Sequence, residues 1–245
     1  MARSHLFVRY AYPPNALGYC GPPDPKAMIS ASSRGASTGD LVSLARQFKG
    51  AWPYLELIAA SSDIADPLDP RVVEAYWVGS SLLDNVPASS LLALVRQHPE
   101  ARLRGGPRRE DAVIAGGVAH HSFHVFAVYP WLRLPRSGRR EPAITVLERC
   151  RIRWGQVESI DGDQVVVQSR PLGFDGHELV LLEARLEQAR RRVDRAGLIE
   201  DLVPGDVVSL HWDWVCDRLA PEALANLQRF TARSLNAVNA SAVQV

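Results

Sequence analysis

Cysteine and histidine are the residue types in this chain best suited to holding a metal, and two of them stand in suggestive settings. Cys150 opens the segment Cys150-Arg-Ile-Arg-Trp-Gly155-Gln-Val157. His211 closes the segment Pro204-Gly205-Asp206-Val-Val-Ser-Leu-His211. If the two face one another, a thiolate and an imidazole define a site. A thiolate is a soft metal donor, and Arg151 and Arg153 are expected to depress its pKa. His211 has apolar neighbours, with Asp213 and Asp217 as candidate carboxylates to orient the ring. The plain alternatives are a packed strand cysteine and a hydrogen-bonded core histidine.

A second constellation is His120-His121-Ser-Phe-His124. On a helix, 120 and 124 share a face at i, i+4, the spacing used to ligate a metal, and 121 and 124 stand at i, i+3. The glutamate of a zincin motif is absent. The weak metal set is His120, His124 and Cys20, with Tyr19, His5 and Glu74 as further candidates to complete it. The alternative is histidines hydrogen-bonded between helices. Trp212 and Trp214 flank Asp213, which predicts that both indoles lie on one sheet face. With Trp154 they are read as packing or interface residues. Cys216 is read as packing. No nucleophile elbow and no phosphate-cradling glycine loop is present, and no catalytic residue is assigned.

The elements that position these residues fall into two parts. Residues 6–38, rich in proline, glycine and tyrosine, are expected to be irregular. From Asp40 the apolar period is helical through Trp52, with a kink or restart at Pro53. Asp69-Pro70 caps a helix carrying Val72, Val73, Tyr76 and Trp77. Another helix starts near Pro87, and one from about Asp111 is expected to carry Val113, Ile114, Val118, His121 and Val125. Residues 134–142 read as a basic linker. After it the period changes to 2. Asp161-Gly162-Asp163 is a hairpin signal, Asp175-Gly176 a second turn, and Pro221 starts a terminal helix. The expected fold class is α+β: a mostly helical domain, 1–140, then a small OB-like β-barrel with a C-terminal helix, 148–240.

Bulk properties exclude several classes. With 28 basic and 27 acidic residues the net charge is +1, which argues against nucleic acid or an anionic membrane as the main partner. No run approaches the roughly 18 apolar residues of a spanning helix, and the start lacks a signal-peptide core. Three scattered cysteines, at 20, 150 and 216, make no disulfide framework. The expectation is a cytoplasmic protein with reduced thiols.

The second part resembles the HypC/HupF family, small chaperones of nickel–iron hydrogenase maturation. The resemblance rests on Cys150, Gly155 and Val157 with the Asp161-Gly162 hairpin, and on Pro204-Gly205-Asp206 leading to His211. It spans roughly 148–235. The sequence departs from the family pattern in having a whole domain before Cys150, Trp154 before the glycine, and Asp213 and Trp214 after the histidine. What the resemblance implies is specific: Cys150 and His211 carry iron that bears cyanide and carbon monoxide ligands, transiently. The implied partners are a maturation scaffold protein and the immature hydrogenase large subunit. The first reading is therefore an accessory protein without turnover. The alternatives are a metal-dependent enzyme sited at His120, His124 and Cys20, and an interaction module working through Trp212 and Trp214.

Overall fold

The computed structural model describes residues 3–32, 38–97, 109–128, 140–193, 196–197, 199 and 201–242. Its first element corrects the sequence reading. Residues expected to be irregular form a helix, α1 (Arg3–Ala16), which runs through Pro13 and Pro14. Proline costs a helix one hydrogen bond to the residue four earlier. Both prolines sit within the last four residues, so the carbonyls of Arg9 and Tyr10 lose their helical donors while the turns before them stay intact. The bond that Pro14 cannot make would have gone to the carbonyl of Tyr10. Phe7, Tyr10 and Ala11 of this helix are completely buried.

Short helices follow: α2 (Pro25–Ser32), α3 (Thr38–Ala45), α4 (Trp52–Ser61) and α5 (Pro70–Trp77). The continuous helix expected from Asp40 to Trp52 is broken at Ala45, and Pro53 lies in the first turn of α4. Asp69 caps α5 as its sequence suggests, accepting from Arg71 N at 2.9 Å. Val72, Val73, Ala75, Tyr76 and Trp77 of α5 are all buried. Each large side chain buried this way contributes ~1.5–3 kcal/mol. Gly79 then turns the chain at φ +104°, and a Cβ there would lie 2.2 Å from the Phe230 ring. After α6 (Ala88–Gln97), the helix expected from Asp111 onward is not continuous. It ends as α7 (Arg109–Ile114), passes Gly116-Gly117, and resumes as one turn, α8 (His121–Phe123), merging into π-helix over His124–Val128. Of the expected linker, residues 134–139 lie outside the described residues. Arg140 already belongs to α9 (Arg140–Cys150), so Cys150 ends a helix rather than opening a strand.

The remainder is a mixed unit built on five paired strands. These are β1 (Arg153–Asp161), β2 (Gln164–Ser169), β5 (Arg185–Arg190), β8 (Val207–His211) and β9 (Trp214–Arg218). Two short ribbons flank them: β3 (Leu172–Phe174) with β4 (Leu179–Leu181), and β6 (Arg192–Val193) with β7 (Ala196–Gly197). Asp161 faces Gln164 across the expected hairpin, with Gly162 at φ +56°. Neighbours run β1-β2-β5-β9-β8, β1 also pairs with β8, and β5 meets β9 at one parallel bridge, Arg190 to Trp214.

The two halves of the Cys/His signature are joined in this sheet. Arg153 lies opposite Leu210 and Gly155 opposite Val208. The Pro-Gly turn docks on the same strand, with Gly205 N donating to Val157 O at 2.8 Å and Val157 N to Asp206 O at 2.9 Å. Gly155 is sterically required: a Cβ there would come within 2.4 Å of the Gln168 carbonyl oxygen. Strand alternation then sorts β8. Val208 and Leu210 join Val157, Val165, Val167 and Val215 in a core enclosed by the sheet. Ser209 and His211 face the helices instead, and Ser209 bonds the Tyr10 hydroxyl at 2.9 Å. Trp212, Trp214 and Cys216 belong to the larger core that the helices build. The terminal helix α10 (Pro221–Ala242) packs on α7, α8 and the π-helical turn.

Candidate metal centre

Three elements meet at one point. His121 comes from α8, Cys150 from the last residue of α9, and His211 from the last residue of β8. One ligand atom of each lies within 4.8 Å of the other two. Metal–sulfur and metal–nitrogen bonds of about 2.3 and 2.0–2.1 Å imply donor separations of roughly 3.5 Å in a tetrahedral site. The three donors, at up to 4.8 Å, need to close by roughly an ångström to reach a ligating arrangement. Three protein ligands leave a fourth position for an exogenous group.

His211 is held in the ligand-ready state. Its Nδ1 lies 2.6 Å from the Tyr10 carbonyl, which can only accept, so Nδ1 carries the proton. That carbonyl is the one Pro14 leaves without a helical donor. Nε2 is consequently a bare lone pair, and it is buried with no hydrogen-bond partner among the described residues. Burial, and then the neighbouring His121, push His211 well below the usual histidine range. The imidazole stays neutral, as a ligand must.

His121 is bonded at both nitrogens, to the Cys150 carbonyl from Nε2 at 2.8 Å and to the Tyr76 hydroxyl from Nδ1 at 3.1 Å. Burial lowers it to about 3. Cys150 is part-buried. Its thiol is pushed up by burial first and by Cys20 second. This reverses the expectation that Arg151 and Arg153 would depress it. Arg151 is committed to Glu148 at 2.8 Å, and Arg153 to Glu187 at 2.9 Å. A thiol held protonated is a poor nucleophile, but a bound cation displaces the proton directly. Two neutral imidazoles and one thiol make a donor set for a borderline or soft divalent metal.

Residues 2–245 match the family described as "Family of unknown function (DUF6390)". The chain belongs to this family. Neither curated proteins nor solved structures give a match.

In this member of the family the walls of the site are aromatic. The Trp77 ring is tilted over both imidazoles, with centroids 4.3 Å from His121 and 5.4 Å from His211. Tyr10 stacks on Trp77 at 5.6 Å. Arg153 clamps the two ends of the signature. Nη1 bonds the Glu148 and Arg149 carbonyls at the end of α9, and Nη2 bonds the Trp212 carbonyl just past His211 at 2.7 Å. Trp212 N donates in turn to Arg149 O at 2.7 Å.

The remaining candidates from the sequence lie around this centre. His120 is the N-cap of α8, accepting from Ser122 N at 3.1 Å, and its ring stacks on Phe230. His124 bonds the Tyr76 hydroxyl at 2.8 Å and stacks on Tyr54. Neither joins the three-ligand group, and neither does Cys20. Burial raises Cys20 to about 12, and its loop is tied down by Asn15, which donates to its carbonyl at 2.9 Å. Trp212 and Trp214 do not share a sheet face. Trp212 occupies the turn between β8 and β9 at φ +53° and stacks on Tyr19, with centroids 4.1 Å apart. Trp214 starts β9, its ring edge-on to Tyr12. Both are buried by this chain's own N-terminal segment, and Trp154 is half-buried beside Arg151. His211 takes the Tyr10 carbonyl as its orienting partner, whereas Asp217 pairs with Arg9 and Asp213 with Arg149. His121 is the candidate donor absent from the metal sets expected from the sequence. The i, i+4 rule selected its neighbours, because it assumes a continuous helix that the Gly116-Gly117 break interrupts.

Proposed function

We propose that this chain is a metal-carrying accessory protein of the hydrogenase-maturation kind, holding an iron-containing intermediate at Cys150, His211 and His121. The observation that carries the reading is the convergence of Cys150 and His211 on a third donor within 4.8 Å. Cys150 and His211 are the two residues the HypC/HupF resemblance implies as iron ligands. The cargo is iron with diatomic ligands, bound transiently. Its donors are a maturation scaffold and its acceptor an immature hydrogenase large subunit, in the cytoplasm. Within this reading the five-strand unit is an OB-like barrel, supported by the neighbour order β1-β2-β5-β9-β8 and the parallel β5–β9 bridge. Among the described residues no helix is long and apolar enough to cross a membrane.

The residues fit a carrier better than an enzyme. Nothing among the three donors is poised as a nucleophile or a base at neutral pH, since the thiol is held protonated and the imidazoles are kept neutral by burial. The test is anaerobic co-expression with the maturation machinery, followed by iron analysis and infrared spectroscopy. The expected result is about one iron per chain, with cyanide and carbon monoxide bands that disappear in Cys150→Ala. Absence of iron in every partner combination would overturn the reading.

A further inference from the structure

His121 differs from His211 in one respect: both of its ring nitrogens are hydrogen-bonded, whereas His211 Nε2 has no partner among the described residues. His121 Nε2 sits 2.8 Å from the Cys150 carbonyl, an acceptor only, so it carries the proton. Nδ1 must then accept, and its partner is the Tyr76 hydroxyl at 3.1 Å. That hydroxyl has a single proton and a second imidazole beside it, His124 Nδ1 at 2.8 Å. Having donated to His121, the tyrosine oxygen receives the Nδ1 proton of His124. The chain His124 to Tyr76 to His121 to Cys150 carbonyl therefore has one direction in the metal-free protein. All three side chains are buried, so solvent does not substitute for a missing partner.

Resting on the metal-site reading above, we propose that Tyr76 is a positioning residue that switches His121 between a metal-free and a ligating tautomer. A cation bound with Cys150 and His211 takes Nε2 of His121 and displaces its proton. Nδ1 of His121 then holds a proton and donates to the Tyr76 oxygen, and the Tyr76 hydroxyl turns to donate to His124 Nδ1. The Tyr76 hydroxyl proton passes to His121 Nδ1 and the His124 Nδ1 proton to the Tyr76 oxygen. The His121 Nε2 proton leaves to solvent and His124 takes one from solvent at Nε2, so the count along the chain is unchanged. The Cys150 thiol proton is released to solvent separately. The Tyr76 hydroxyl serves both directions because it both donates and accepts, and phenylalanine serves neither.

The test uses the full chain with Zn²⁺ alone, as a diamagnetic probe. Nitrogen-15 NMR of the imidazoles reads the tautomers, and calorimetry reads affinity. Wild type is expected to show His121 protonated at Nε2 without metal and at Nδ1 with it. Tyr76→Phe should bind Zn²⁺ about 10–100-fold more weakly and lose the clean reversal. His124→Gln, whose amide still donates or accepts, should bind nearer to wild type than Tyr76→Phe. Full affinity in Tyr76→Phe, or Nε2 still protonated with metal bound, overturns the relay while leaving the metal site standing. If wild type takes up no Zn²⁺, the metal reading and the reversal both fail. The metal-free spectra then judge what remains, and an unchanged His121 tautomer in Tyr76→Phe refutes the Tyr76 assignment outright.

Discussion

His211 Nδ1 bonds the carbonyl of Tyr10 at 2.6 Å, across 201 positions of sequence. The carbonyl is available because Pro14, four residues on, has no N–H to give it. A feature that reads as helix-breaking in α1 thus fixes the tautomer of a histidine in β8. The bare Nε2 that results is half of the argument for a ligand site. The other half is the arrival of Cys150 and His121 beside it.

Arg153 should be the residue on which the site's geometry most depends. It bonds the carbonyls of Glu148, Arg149 and Trp212 and pairs with Glu187, and it is almost completely buried. Removing one partner of a buried, hydrogen-bonded ion pair costs about 3–5 kcal/mol. Arg153→Met is expected to lose that much in urea unfolding and to lose metal binding with it. A change below about 1 kcal/mol would contradict the clamp.

Acid should destabilise the metal-free protein through its buried histidines. Burial lowers His120 and His121 to about 3, and His211 moves in the same direction. In the unfolded chain these groups take up protons near pH 6.5. Between that pH and about 3, the unfolded state binds protons the folded state refuses, so stability falls as pH falls. Each histidine contributes up to about 1.4 kcal/mol per pH unit. Glu74 and Asp217, raised by burial, oppose this at lower pH. Unfolding free energy measured from pH 7 to 4.5 should drop steeply. A flat profile would contradict neutral buried imidazoles.

Gly155 tests the steric reading of the signature. A Cβ there would come within 2.4 Å of a backbone oxygen, which a rotamer change cannot relieve. Gly155→Ala should cost about 1–3 kcal/mol through displacement of β1 from β2. Thermal unfolding at wild-type temperature would show the glycine to be incidental.

Much of the sheet was legible because its signals are local. The Asp161-Gly162 turn, the Pro204-Gly205 turn and the period-2 alternation of Val208 and Leu210 each depend on a few adjacent residues. Ser209, which broke that apolar run, proves to mark the face that His211 shares. The helices were less legible. Pro13 and Pro14 argued against α1, yet they remove bonds only in its last turn, and packing of Phe7 and Tyr10 outweighed propensity. The candidate centre was half legible: Cys150 and His211 followed from spacing and resemblance. His121 did not, because its position follows from the Gly116-Gly117 break and from tertiary packing of α8 against α5 and α10.

Cys20 and Cys150 should separate cleanly. Cys20 raises the Cys150 thiol but stands outside the three-donor group. Cys20→Ala is expected to keep one metal per chain, and Cys150→Ala to lose it. The reverse pattern, read by metal analysis after dialysis, would place the sulfur ligand in the N-terminal segment.

The most direct measurement is X-ray absorption at the zinc edge of protein loaded with one Zn²⁺ per chain. One sulfur at about 2.3 Å and two imidazole nitrogens at about 2.0–2.1 Å are expected, with a light atom in the fourth position. The sulfur shell should vanish in Cys150→Ser, and one imidazole in each of His121→Ala and His211→Ala. A shell without sulfur in the wild type, or one unchanged in all three variants, would contradict the three-donor site.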